Sequence, residues 1–263
     1  MSFPHDIESA TRQRKVLDEV DHRPWPLPDE REWIMGQTWE NLLFAHWRVP
    51  EDALRAVVHP DIPIDTYDGS AWIGVTPFTV TGLHSRGTPP PPVLANFHEI
   101  NVRTYSTIDG KPGIYFLSLD AASRAAVATA RKAYRIPYFH AAIDASDSDG
   151  SITYRHERIA RDGPPAAFEA RYRPTGDPFE AEPGSFEHWA TERYCLYTLD
   201  DDQRIHRGDI HHPPWPLQHA TAEIAHNTMA DPYGIELDGD PILHFARTQD
   251  VLFWPLKPLP PAG

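Results

Sequence analysis

The chain has 263 residues, one cysteine and a formal charge of −14, which disfavours an electrostatic hold on nucleic acid or anionic lipid, since both need concentrated Lys and Arg. Cys195 alone forms neither an intrachain disulfide nor a cysteine-built metal site, and no run approaches the roughly 20 apolar residues of a membrane helix. The expectation is a cytoplasmic protein with a small organic ligand as partner, no nucleic-acid or membrane partner, and homo-oligomerisation left open.

The 28 prolines disfavour long helices and favour short strands joined by turns. Residues 1–30 read as an N-terminal arm, a short polar helix followed by the extended Arg23-Pro24-Trp25-Pro26-Leu27-Pro28 run, and residues 31–263 as one domain. Trp33 to Val49 suits one or two buried strands, and Pro50 opens a helix through Val58. Ala71 to His84 is a long strand candidate, and the stiff Gly87 to Pro92 loop GTPPPP edges a pocket if one lies nearby. Phe97–Thr107 pairs with Gly113–Leu119 around Asp109-Gly110, and Tyr138–Ala145 pairs with Ser151–Ile159 around a second Asp-Gly turn. Between these hairpins Asp120 caps an alanine-rich helix to about Tyr134. Further strands are expected at Ala166–Arg173, Arg193–Leu199, Arg204–His211, Leu217–Ala225 and Ile242–Trp254. The fold class is α+β but predominantly β, a large mostly antiparallel sheet closed as a cone or barrel, with a few short helices.

Alternation along Phe97 to Tyr105 puts Glu99, Asn101 and Arg103 on one strand face. As a site, Arg103 grips a carboxylate or phosphate and Glu99 moves protons; as structure, the three form a satisfied polar ladder. His46, Tyr115, Glu192 and Arg193 are secondary ligand-binding candidates, with an ion pair the alternative for Glu192 and Arg193. His206, His211, His212 and His219 lie near each other but match no metal-binding spacing, so no metal is expected. Nothing supports a cofactor, hydrolase, kinase or dehydrogenase: phosphate-cradling glycine loop, dinucleotide fingerprint and Gly-x-Ser-x-Gly elbow are missing.

The run WENLLFAHWRVPEDALRAVVHPDIPIDTYDGSAWIGVTPF, then FHEINVRTY, GIYFLSLDA, RIPYFHA, TERYCLY and WPLQHA, resembles the DUF2071 (YqjF-like) family across about residues 30–255. That family is similar in fold to acetoacetate decarboxylase, so the resemblance implies a cone-like, largely antiparallel β structure around an internal cavity. Phe97-His98-Glu99 resembles the decarboxylase's tyrosine-x-glutamate strand, implying Glu99 as the pocket carboxylate. Where the decarboxylase has Pro-Lys-Lys this chain has Pro137-Tyr138-Phe139. A phenol forms no iminium, so the resemblance carries the fold without Schiff-base chemistry. Lys132 falls in the last turn of the helix, where a cation complements the dipole. Tyr138 either hydrogen-bonds a ligand oxygen as a weak general acid or is a buried tyrosine satisfied by backbone.

Two functional readings follow. One is an enzyme doing lysine-independent acid–base chemistry on a carbonyl- or carboxylate-bearing compound, with Glu99 as base and Arg103 or Tyr138 stabilising developing oxyanion charge. The other is a non-catalytic ligand-binding or sensing protein. A third, an assembly protein, would use Trp25, Trp215 or Trp254 and the proline-rich segments as contacts.

Overall fold

The computed structural model describes residues 3–91 and 95–260, so Pro92 of the proline loop lies outside the described residues. Among these, eleven strands form one sheet. They are β1 (Met35–Val49), β2 (Ala71–Ser85), β3 (Phe97–Ile108), β4 (Lys111–Ala121), β5 (Tyr138–Ser148), β6 (Ser151–Arg158), β7 (Ala167–Phe179), β8 (Cys195–Leu199), β9 (Ile205–His211), β10 (Leu217–Asn227) and β11 (Ile242–Pro258). The helices are α1 (Phe3–Lys15), α2 (Glu51–Arg55), α3 (Arg124–Tyr134) and α4 (Phe186–Thr191). No helix among the described residues is long and apolar enough to cross a membrane.

The sheet closes on itself twice. Strands β1 to β7, β10 and β11 form a first ring, completed where β11 pairs with β1. Strands β8 and β9 bridge β4 to β11, which makes a second ring with β1 to β4. The wall from β1 to β4 is therefore buried on both faces. Leu43, Ala45, Val75, Ile100, Val102, Tyr154 and Phe168 pack in the first interior. Leu42, Phe44, Phe78, Phe97, Leu119, Tyr138 and Trp215 pack in the second.

Local chemistry accounts for the joints. Asp109-Gly110 and Asp149-Gly150 all have positive φ, as a two-residue hairpin turn of matching twist requires. Helix α3 is capped by Ser123, whose Oγ accepts the Ala126 N–H at 3.2 Å, and it ends on Arg135 at φ 53°, just before Pro137. This crossover lets Leu119 to Ala121 of β4 pair in parallel with Tyr138 to His140 of β5. Asp120, expected as the cap, instead sits inside β4 with its side chain fully buried. Helix α2 is shorter than expected because the Arg55 guanidinium collects the carbonyls of Val58, His59 and Ile62 at 2.8, 2.6 and 2.9 Å and folds the chain into turns.

The N-terminal segment packs on β1, β2 and β11. Gln13 donates to Thr38 Oγ1 at 2.9 Å and to the Gly82 carbonyl at 3.2 Å, Arg12 pairs with Asp250 at 2.7 Å, and Trp254 donates its indole N–H to the Asp29 carbonyl at 2.8 Å.

One glycine is dictated by close approach. A Cβ on Gly113 of β4 would lie 2.6 Å from Tyr197 Cε2, 2.7 Å from Cys195 Sγ and 2.9 Å from the Cys195 carbonyl oxygen. That carbonyl belongs to β8 and cannot rotate away. Gly113→Ala is expected to cost about 1–3 kcal/mol by overpacking, read as a lower urea midpoint at unchanged slope; an unchanged midpoint would show that β4 and β8 separate freely.

Candidate functional site

Strand β3 turns Phe97, Glu99, Asn101 and Arg103 to the second interior and Ile100 and Val102 to the first; Tyr105, on the same face as Arg103, packs with Trp72 and Phe186 in a separate cluster. Across the ladder on β2, Glu99 faces Phe78, Asn101 faces Thr76 and Arg103 faces Gly74, while His46 of β1 lies beside Gly74. A Cβ at Gly74 would come within 3.2 Å of Tyr105 Oη and 3.3 Å of both Arg103 Nε and His46 Cδ2, so glycine leaves the room these three groups occupy.

At one end of this stripe the Tyr138 phenol donates to Glu99 Oε2, and Tyr154 reaches from the other interior to the Glu99 carbonyl at 2.7 Å. Burial pushes the Glu99 carboxyl up to about 8; the Tyr138 hydrogen bond pulls the other way, and Asp120 adds to the rise. Burial and the neighbouring Glu99 hold the Tyr138 phenol well above its ordinary range. Both shifts favour the protonated forms, a carboxylic acid beside a phenol.

At the other end stands Arg103, 5% exposed, its guanidinium 5.1 Å from the Phe44 ring and 6.0 Å from the Tyr105 ring. Its Nε and Nη2 are buried without a hydrogen-bond partner. Between the two ends, Thr76 Oγ1 and Asn101 Oδ1 are also buried and unpartnered. His46 Nε2 meets Tyr105 Oη at 2.5 Å and its Nδ1 is unpartnered. Burial, helped by the Arg103 charge, keeps this imidazole neutral. Helix α4 roofs the Arg103 end: Phe186 stands 5.3 Å from the His46 ring and Trp189 4.6 Å from the Tyr105 ring. Two clefts of about 320 and 720 Å³ open elsewhere on the molecule, and neither is lined by Glu99, Arg103 or Tyr138.

The structure thus joins Glu99 to Tyr138, and places Arg103, Asn101 and His46 on the same interior face. The other candidates lie elsewhere. Tyr115 pairs with Thr104, one residue on from Arg103, and so turns to the opposite interior. Glu192 and Arg193 do not pair with each other. Glu192 accepts from the Tyr194 phenol and, at 3.1 Å, from the Trp215 backbone N–H, whereas Arg193 holds Asp65 at 2.8 Å and packs on the Tyr105 ring at 4.8 Å. Each is consumed as an anchor for the turn between α4 and β8. Among the four histidines near β9 and β10, His206 pairs with Asp200 at 3.0 Å, while His211 and His212 face backbone carbonyls. Lys15, Lys132 and Lys257 are exposed and Lys111 sits in the β3–β4 hairpin, so none of the four lysines is buried.

Two parts of the site escaped the sequence reading. Gly74 and Thr76 stood as small interruptions in the apolar run Trp72 to Phe78, which was the available signal. The second is a fully buried cluster behind Glu99: Asp120 takes two hydrogen bonds from Arg158, Nε and Nη2 each at 2.8 Å, and a third contact from His156 Nε2 at 2.8 Å.

Comparison with known proteins places this geometry. Among solved structures the chain is similar to the enduracididine biosynthesis enzyme MppR complexed with pyruvate, at a TM-score of 0.60 and 10% identity over 92% of this chain and 94% of that one. It is similar also to acetoacetate decarboxylase from Legionella pneumophila subsp. pneumophila str. Philadelphia 1, at 0.58 and 13% over 93% and 95%. These likenesses establish an acetoacetate decarboxylase-like fold. At the level of sequence it is 49% identical over 226 residues to the uncharacterized protein YqjF of Bacillus subtilis (strain 168), covering 86% of this chain and 92% of that protein. Residues 36–250 match the family model DUF2071, described as "Uncharacterized conserved protein", and the chain belongs to that family.

Proposed function

We propose that this protein takes a small carboxylate-bearing organic compound into the second interior, with Arg103 holding the carboxylate, and acts on it through Glu99 without a Schiff base. The observation that carries this reading is the pair of buried, unpartnered nitrogens on Arg103. A buried guanidinium without a counter-charge is costly, and a planar anion accepting two parallel hydrogen bonds is its natural complement. Thr76 and Asn101 offer further polar contacts along the path to Glu99. With no buried lysine, an amine-based electron sink has no place in the scheme. Since the Glu99 carboxyl is pushed up to about 8, it enters the reaction at pH 7 as the proton donor, reversing the expected role of base. Enolisation, hydration or hydrolysis of a carbonyl compound fits an acid and a phenol placed together, the phenol supplying a hydrogen bond to a developing oxyanion. The bond between Glu99 and Tyr138 favours one rival: a protein that holds its ligand unchanged while this pair stays closed.

Titration calorimetry with pyruvate and acetoacetate, against acetone as the neutral control, tests the reading. The two acids are expected to bind and acetone not to. Arg103→Met is expected to weaken binding by about 30-fold or more, since truncating one partner of a desolvated charge pair costs about 2–5 kcal/mol. The same variant should unfold at no lower urea concentration than the wild type, because it removes an uncompensated charge. Equal affinity in Arg103→Met would overturn the proposal. Turnover abolished in Glu99→Gln with affinity retained separates the enzyme from the binder.

A further inference from the structure

Strand β10 has one edge that the sheet leaves unused. It pairs with β7 from Leu217 to Asn227, but with β11 only through Leu217, Gln218 and His219. Beyond His219 the two strands diverge, because β11 turns to follow β1, with Leu243 opposite Ala45 and Ile242 opposite His46. No backbone hydrogen bond outside the β7 ladder reaches Ala220 to Ile224 among the described residues. This run faces the 720 Å³ cleft, floored by Trp47, Ile224 and Leu243 and rimmed by Asp231, Glu236 and Asp240.

Exposed edges are usually blunted with lysine, proline or a bulge, since unpaired N–H and C=O groups recruit other strands. The run Ala220-Thr221-Ala222-Glu223-Ile224 carries neither lysine nor proline, and the two register shifts of β10 against β7 flank it, one between Leu217 and His219 and one between Ile224 and His226. Its alternation also suits an added strand. Ala220, Ala222 and Ile224 are half-buried while Thr221 and Glu223 are exposed, so an incoming chain would meet a low apolar wall on one face and solvent on the other. At about 3.4 Å per residue the free edge is about 17 Å long, enough to pair five residues.

We propose that this edge is a docking site for an extended, basic segment of another protein, which adds to β10 as a strand. Main-chain hydrogen bonds would supply the affinity and the three rim carboxylates the preference for lysine or arginine. A second copy of this chain is the less favoured occupant, because pairing β10 with its own copy would bring two such acidic rims together in a protein that already carries −14.

The test uses the full chain and an end-blocked, fluorescein-labelled hexapeptide of alternating lysine and valine, followed by anisotropy and by amide hydrogen exchange. Saturable binding is expected, with slowed exchange within Ala220 to Ile224. N-methylation of the valines should weaken binding at least 10-fold, as should Thr221→Lys, an exposed substitution that places a like charge on the edge. The combined change Asp231→Asn, Glu236→Gln and Asp240→Asn should weaken it several-fold and flatten its salt dependence. Absence of binding, equal affinity for the N-methylated peptide, or unchanged exchange at Ala220 to Ile224 would overturn the proposal. Concentration-dependent protection of the same amides without peptide would assign the edge to a second copy instead.

Discussion

Replacing Glu99 by glutamine is expected to stabilise the protein progressively as pH rises from about 4.5 to about 8, by about 4 kcal/mol at the upper limit. Below about 4.5 the carboxyl holds its proton in both folded and unfolded chains, and the folded protein is not penalised. Between the two values the unfolded chain ionises while the buried Glu99 does not. The unfolded state therefore binds fewer protons, and wild-type stability falls with rising pH until the folded carboxyl itself ionises. Glutamine keeps the shape and, in its amide oxygen, an acceptor for the Tyr138 phenol, but does not titrate. The measurement is urea unfolding of both proteins at pH 5, 6, 7 and 8, compared by difference. The difference is needed because five histidines, His98 and His244 among them, are lowered by burial and work in the opposite sense. Burial holds His46 well below its ordinary range, His211 at about 3 and His212 at about 4, so each destabilises the fold as pH drops below about 6.5, where the unfolded imidazole takes up a proton and the folded one does not. A difference that stays flat across the series would mean that Glu99 is ionised in the folded protein and that the acid role assigned to it is wrong.

The second large effect belongs to the cluster behind Glu99. Asp120→Ala is expected to cost about 3–5 kcal/mol, because it strands the Arg158 charge in an interior where both side chains are fully buried. Arg158 keeps a 3.1 Å hydrogen bond to the Pro164 carbonyl and its 4.2 Å stack on Phe139, neither of which neutralises it. For a chain of this size the loss corresponds to a melting point lower by about 10 °C. The triple variant Asp120→Leu, Arg158→Met and His156→Phe should recover most of the loss, since removing all the charges together avoids the stranded one. If Asp120→Ala alone were nearly neutral, water would have to reach Arg158, and the interior would be wetter than its packing implies.

Much of the fold was legible because its turns are chemically explicit. Asp109-Gly110 and Asp149-Gly150 tolerate the positive φ that a tight hairpin needs, and each fixes two strands at once. The polar stripe of β3 was legible as a period of two. What the alternation could not say was which face is inside, because β3 belongs to a wall shared by two interiors and both faces are buried. The face of Tyr115 was available: a two-residue turn at Asp109-Gly110 sets Thr104 against Tyr115, away from Arg103. The face of Asp120 was not. A straight hairpin would put Asp120 opposite Glu99, but an extra residue in β4 at Leu117 shifts the ladder, so that Ile100 faces Asp120 and Glu99 faces Ala121. The bulge has no local signal, and the Arg158 that rewards it lies far along the chain. An acid before an alanine-rich run therefore read as a helix cap.

The place of β11 in the sheet bears on how the chain is made. This strand pairs with β1, β9 and β10, and it is the last of the described strands to leave the ribosome. Met35 waits for Phe253, and neither ring can shut until the contact forms. Pairings of such long sequence separation are slow to nucleate. At about 5–20 residues per second, β1 and β2 spend ten seconds or more with apolar faces wet. Synthesis of this protein should accordingly lean on holding chaperones, and nascent chains halted before residue 242 should aggregate where the finished chain does not.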